Sequence, residues 1–134
     1  MTVLLSDQRA VHTAEDVVSI RQAVRQRAVE LGFNLVDQTK IVTAASELAR
    51  NTVQYGGGGM VTIEALENLG RRGLRLTFAD EGPGIVDIDQ AMKDGFTTSG
   101  GLGLGLSGAR RLSNDFHIDS RPGLGTRVTI TRWR

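Results

Sequence analysis

The chain switches between two hydrophobic periods, and the switch points mark its elements. From Thr13 onward, Val17, Ile20, Val24, Ala28 and Leu31 recur at helical spacing, with Gly32 as a stop. Thr13 followed three residues later by Asp16 has the form of an N-terminal capping box. A second helix is predicted from about residue 36 to residue 55. At 100° per residue, Ile41, Val42, Ala45, Leu48, Ala49 and Thr52 share one side of it. Lys40, Thr43, Glu47, Arg50, Asn51 and Gln54 share the other. The period then falls to two: residues 60–67 and 74–80 read as strands, and Leu74, Leu76 and Phe78 alternate with Arg75, Thr77 and Ala79. Residues 2–12 hold apolar positions without clean periodicity and suggest one or two short strands. A short helix at 88–93 precedes a glycine-rich loop at 94–105. A helix near 104–114 and two strands, 116–120 and 126–133, close the pattern.

That order, β-α-α-β-β-loop-α-β-β with short late connections, implies an α+β fold. The expected form is a two-layer α/β sandwich, with a mixed, mostly antiparallel sheet and helices on one face. A length of 134 residues, 40% hydrophobic and 23% charged, indicates one domain spanning 1–134. With 16 basic and 15 acidic side chains, the charge gives no case for nucleic acid or an acidic membrane as main partner. The absence of cysteine excludes disulfides and thiolate metal sites. No signal-peptide start occurs, and no apolar run approaches the ~20 residues of a membrane span, so a cytoplasmic location is expected. Glycine is the anomaly. There are 17, with one block at 56–59 and six between Gly95 and Gly108.

The candidate chemistry lies in four blocks. Glu47 and Asn51 stand at i and i+4 on one helix face, a carboxylate beside an amide oxygen that suits magnesium. Either residue also fits a solvated helix face. Asp80 ends a strand and is followed by Gly82 and Gly84; a carboxylate there can accept from an exocyclic amine such as that of adenine, with little in the way of a flat ring. The same residues also make a good polar turn. Gly100, Gly101, Leu102, Gly103, Leu104 and Gly105 lead into a helix, and their amides can wrap a triphosphate. Thr126, after Gly125, can place a hydroxyl by the base. Gly103 to Gly108 formally matches a dinucleotide fingerprint, but no strand precedes it and no βαβ unit fits after it. A Walker loop is absent. His12 and His117 are isolated and read as structural, and Trp133 as an anchor for the last strand.

Taken together, these blocks resemble the N box, G1 box, G2 box and Gly-Thr element of the GHKL superfamily of gyrase-type ATPases, Hsp90, histidine kinases and MutL. The resemblance implies the Bergerat fold and an ATP·Mg²⁺ ligand. Asn51 would be the metal ligand, Asp80 the adenine carboxylate, and residues 95–105 the ATP lid. Neither a phosphoacceptor-histidine hairpin nor a transducer domain is expected from these 134 residues. The chain is similar instead to the stand-alone kinases that phosphorylate serine or threonine on STAS-domain proteins. The stretches 31–38, 46–51 and 94–103 look like the RsbT-type switch kinases of the stressosome, more than the sigma-binding RsbW and SpoIIAB types. That branch implies Glu47 as catalytic base, STAS-domain substrates and a PP2C-type phosphatase as second partner. Two rivals remain: an anti-sigma factor kinase that binds a sigma factor, and a non-catalytic module that uses nucleotide only to set a binding state.

Overall fold

A computed structural model describes residues 1–93 and 105–134. Strand β1 (Thr2–Val11) leads into helices α1 (Ala14–Glu30) and α2 (Leu35–Gln54). Strands β2 (Gly59–Asn68) and β3 (Arg71–Asp80) follow, then the short helix α3 (Ile88–Ala91). Helix α4 (Gly105–Arg111) and strands β4 (Asp115–Arg121) and β5 (Gly125–Trp133) complete the chain. The strands form one sheet in the order β1-β2-β3-β5-β4. All four pairings are antiparallel, so the expected mixture reduces to one kind of ladder. No helix among the described residues is long and apolar enough to cross a membrane.

The helical periods bury the side they predict. Val17, Ile20, Val24 and Ala28 of α1 are buried, as are Ile41, Val42, Ala45, Leu48, Ala49 and Thr52 of α2. These pack on the sheet face that carries Val61, Ile63, Leu74, Leu76, Phe78, Val128 and Ile130, giving one largely aliphatic core. The opposite face is mostly polar, with Leu66 and Trp133 as apolar exceptions: Glu64 and Arg75, partners across β2 and β3, form a 2.9 Å ion pair there. Trp133 does anchor β5. Its ring covers its register partner Gly73, where a Cβ would meet the indole, and its backbone N–H donates to Asn114 Oδ1 at 2.7 Å. Arg132 binds the layers together, donating to Asp37 Oδ1 in α2 and to the Leu112 carbonyl just after α4.

The N-terminal segment is one ten-residue strand rather than one or two short ones. It is a sheet edge, and along it only Val11 is buried, so burial imposed no alternation on its sequence. A bulge between Val3 and Leu5 further disturbs the period.

The capping box at the start of α1 forms as expected. Asp16 N–H donates to Thr13 Oγ1 at 3.1 Å, while Asp16 Oδ2 accepts from the backbone N–H groups of His12 and Thr13 at 2.9 and 3.2 Å. The His12 N–H is the main cause that holds the Asp16 carboxyl below its usual 3.8, with Thr13 adding to it. A depressed folded-state value means stability that is present above the unfolded value and lost as pH falls through the folded one. Asp16→Asn is therefore expected to lower the melting temperature at pH 7, with the gap to the parent closing below pH 3.8. Melts at pH 7 and pH 3 check this; a gap of constant size would mean that the charge contributes nothing.

Candidate nucleotide site

One row of register partners builds the floor of the site. Gly59, Asp80, Thr126 and Ser120 lie side by side across β2, β3, β5 and β4. Two residues further along, on the same face, Val61, Phe78, Val128 and Ile118 form the next row and enter the core. The floor is therefore polar at the sheet's end and apolar behind it. Above it stands the exposed side of α2. Glu47, Asn51, Phe78, Asp80, Thr126 and Val128 all line one cleft of about 500 Å³, a size ordinary for small-molecule sites.

Asp80 is half-buried, and its orientation is set by backbone donors. The N–H groups of Gly82 and Thr126 both donate to Oδ1, at 2.9 and 3.2 Å. Among the described residues no donor reaches Oδ2. The carboxylate thus has one oxygen committed to the fold and one available to a ligand.

The glycines near Asp80 are required by contacts within the protein, a reason different from the ring access read from the sequence. Gly56, just beyond α2, lies against the Asp80 carboxylate so closely that a Cβ there would overlap it. A Cβ on Gly82 would in turn sit 2.7 Å from the Gly56 Cα. Gly84 has φ +75, and a Cβ on it would strike the Arg121 carbonyl. Gly84 thereby docks the segment after β3 against the β4–β5 turn, and both Gly84 and Ile85 line the cleft.

On α2, Glu47 is one-quarter exposed and pairs with Arg50, whose Nη2 is 3.1 Å from Glu47 Oε1 and donates to Ser46 Oγ at 2.9 Å. Asn51 lies one turn further on. Gly105, the first residue of α4, comes so near it that a Cβ there would be 2.9 Å from Asn51 Nδ2. The site candidates Gly100, Gly101, Leu102, Gly103 and Leu104, and the rest of the expected ATP lid, lie outside the described residues. Gly105 alone of that block is described, beside Asn51 and lining the cleft.

The structure therefore brings Glu47, Asn51, Asp80, Gly84, Gly105 and Thr126 to one cleft; Gly82 stands just behind, against Gly56. The sequence reading missed two residues. Gly56 carries a visible signal, the glycine block after a helix, which by itself indicates only local backbone freedom. Ser120 carried none.

Comparison with known proteins agrees with this architecture. The model of the histidine kinase-, DNA gyrase B- and HSP90-like ATPase family matches residues 36–133, and the chain belongs to that family. It is 47% identical over 131 residues to the serine/threonine-protein kinase RsbT of Bacillus subtilis, covering 96% of this chain and 98% of that one. It is 30% identical over 119 residues to an anti-sigma F factor of a Thermoanaerobacter species, covering 84% and 82%. Among solved structures, the RsbU and RsbW domains of a Mycobacterium tuberculosis protein superpose with a TM-score of 0.68 at 24% identity. That match covers 97% of this chain and 33% of the other, about a third of its length. The mycobacterial sensor histidine kinase MprB gives a TM-score of 0.56 at 18% identity, covering 95% of this chain and 97% of that one.

Proposed function

We propose that the protein is an ATP-dependent serine/threonine kinase of the RsbT type, acting on STAS-domain proteins of a stress-response assembly. The observation that carries this reading is the convergence of Glu47, Asn51, Asp80 and Thr126 on one cleft. The 47% identity to a serine/threonine kinase over nearly the whole of both chains supports it.

Each residue has a distinct task. Asp80 Oδ2, left open by the two backbone donors on Oδ1, accepts from the exocyclic amine of adenine. Phe78 and Val128 give the base an apolar bed. The Asn51 amide oxygen is a hard donor of the kind that would hold a magnesium ion, and it stands one helical turn from the Glu47 carboxylate, which is left for proton transfer. When bound, that ion would neutralise charge on the transferring phosphate. Glu47 then takes the proton of the incoming serine or threonine hydroxyl. That hydroxyl oxygen bonds to the γ-phosphorus as the bond to the ADP oxygen breaks. The Arg50 pair holds the carboxylate at the helix surface and, being half exposed, can release it toward the substrate.

The STAS-domain substrate and a PP2C-type phosphatase as alternate partner come from the resemblance of residues 31–38, 46–51 and 94–103 to the switch kinases. The similarity to anti-sigma F factors supports the second reading, a kinase that also binds a sigma factor. Purified protein with labelled ATP, magnesium and candidate STAS-domain proteins decides between them. Label on serine or threonine of a STAS protein, with no sigma factor retained, is expected. Retention of a sigma factor would select the rival, and partner binding without transfer would make the protein a nucleotide-dependent binder.

A further inference from the structure

Ser120 lies in the same row as Asp80 and Thr126 and lines with them the sheet's end, but it does not line the cleft that they share with Glu47 and Asn51. Its hydroxyl stands at the centre of three contacts. Ile85 N–H donates to it at 2.8 Å, the Gly125 carbonyl lies at 3.1 Å, and Thr126 Oγ1 lies at 2.8 Å. A serine hydroxyl has one proton and two lone pairs. The carbonyl can only accept, so the one arrangement that uses all three contacts has Ser120 donating to Gly125 and accepting from Ile85 and Thr126. The proton of Thr126 is then directed to Ser120, away from the cleft.

We propose that Ser120 is a specificity-determining positioning residue: by taking the Thr126 proton it leaves Thr126 as a pure acceptor toward the base. The inference rests on the adenine reading of the cleft given above. With Asp80 Oδ2 and Thr126 Oγ1 both accepting, the sheet's end offers two acceptors and no hydroxyl donor. A purine with an amine at its 6-position supplies the matching protons. A purine with a carbonyl there brings a third acceptor, which a polar site of fixed sign rejects. Without Ser120, the Thr126 hydroxyl is free to turn and donate to that carbonyl.

ADP and IDP test this, since they differ in the 6-substituent and carry no transferable phosphate. Titration calorimetry of the parent should show a preference for ADP. Ser120→Ala should shrink the ADP-to-IDP affinity ratio by roughly tenfold, the scale of one hydrogen bond changed in sign. Ser120→Thr, which keeps the hydroxyl, should retain the parent ratio. In a Thr126→Val background, Ser120→Ala should leave the ratio unmoved, because the group through which it acts is gone. Equal weakening of both nucleotides by Ser120→Ala would make Ser120 a brace for Ile85 and overturn the proposal, as would an undiminished effect in the Thr126→Val background. Failure of the underlying adenine reading has a separate sign: unchanged ADP affinity in Asp80→Asn. Should Ser120→Ala fail to fold, Ser120→Cys supplies the measurement, a thiol being too weak an acceptor to hold the Thr126 proton.

Discussion

Glu47→Ala is expected to bind ATP as the parent does and to transfer phosphate about 10²–10⁴-fold more slowly, the usual contribution of a general base. Binding and chemistry separate here because they depend on different layers of the fold. The floor of the cleft, from Asp80 to Thr126, belongs to the sheet, whereas Glu47 projects from α2. Loss of the carboxylate releases Arg50, but that partner is half exposed and water can satisfy it, so the helix should stay intact. Asn51→Ala is the companion control: it should lose magnesium-dependent binding as well as transfer. Single-turnover transfer to a STAS-domain partner, measured beside calorimetric ATP binding, reads both quantities. A normal transfer rate in Glu47→Ala would remove this residue from the chemistry.

Asp80→Asn should weaken ATP binding at least tenfold while the protein remains folded. The substitution keeps the shape, and an amide oxygen at the Oδ1 position still accepts from Gly82 and Thr126. What changes is the second position. A carboxylate oxygen open to the ligand becomes an NH₂ group, which meets the amine of adenine donor to donor. A hydrogen bond to a charged acceptor, on the order of 1.5–3 kcal/mol, is lost and a mismatch replaces it. Calorimetry with ATP, and a thermal melt to confirm folding, measure the effect. Parent-like affinity would place the base elsewhere.

The parts of this architecture that were legible in the sequence are those in which burial imposes a period. The stripes on α1 and α2 are legible because one side of each helix faces the aliphatic core and the other faces water. Strand β3 is legible because Leu74, Leu76 and Phe78 face that core while Arg75 and Thr77 face the polar side. Strand β1 escaped, since an exposed edge leaves its composition unconstrained. Asp80 was legible from its position at a strand end before two glycines. Ser120 was not, because its partners are made by register and by a segment 35 residues away. Gly56 falls between. Its type was conspicuous, but its reason is a carboxylate that comes into contact only when β3 lies beside β2.

The place of β5 between β3 and β4 governs the order in which a growing chain can assemble. β1, β2 and β3 can pair once β3 is made, since the β1–β2 and β2–β3 ladders need nothing made later. β4 cannot, because its one partner among the described residues is β5. The Asp80 carboxylate likewise waits for the Thr126 N–H, supplied 46 residues later. Non-local pairing of this kind is slow relative to local contacts. Until β5 is made, three of the five strands have a partner and the nucleotide floor lacks Thr126. A nucleotide that needs the completed floor would stabilise the finished form alone, and so would favour the last step of assembly over the earlier ones.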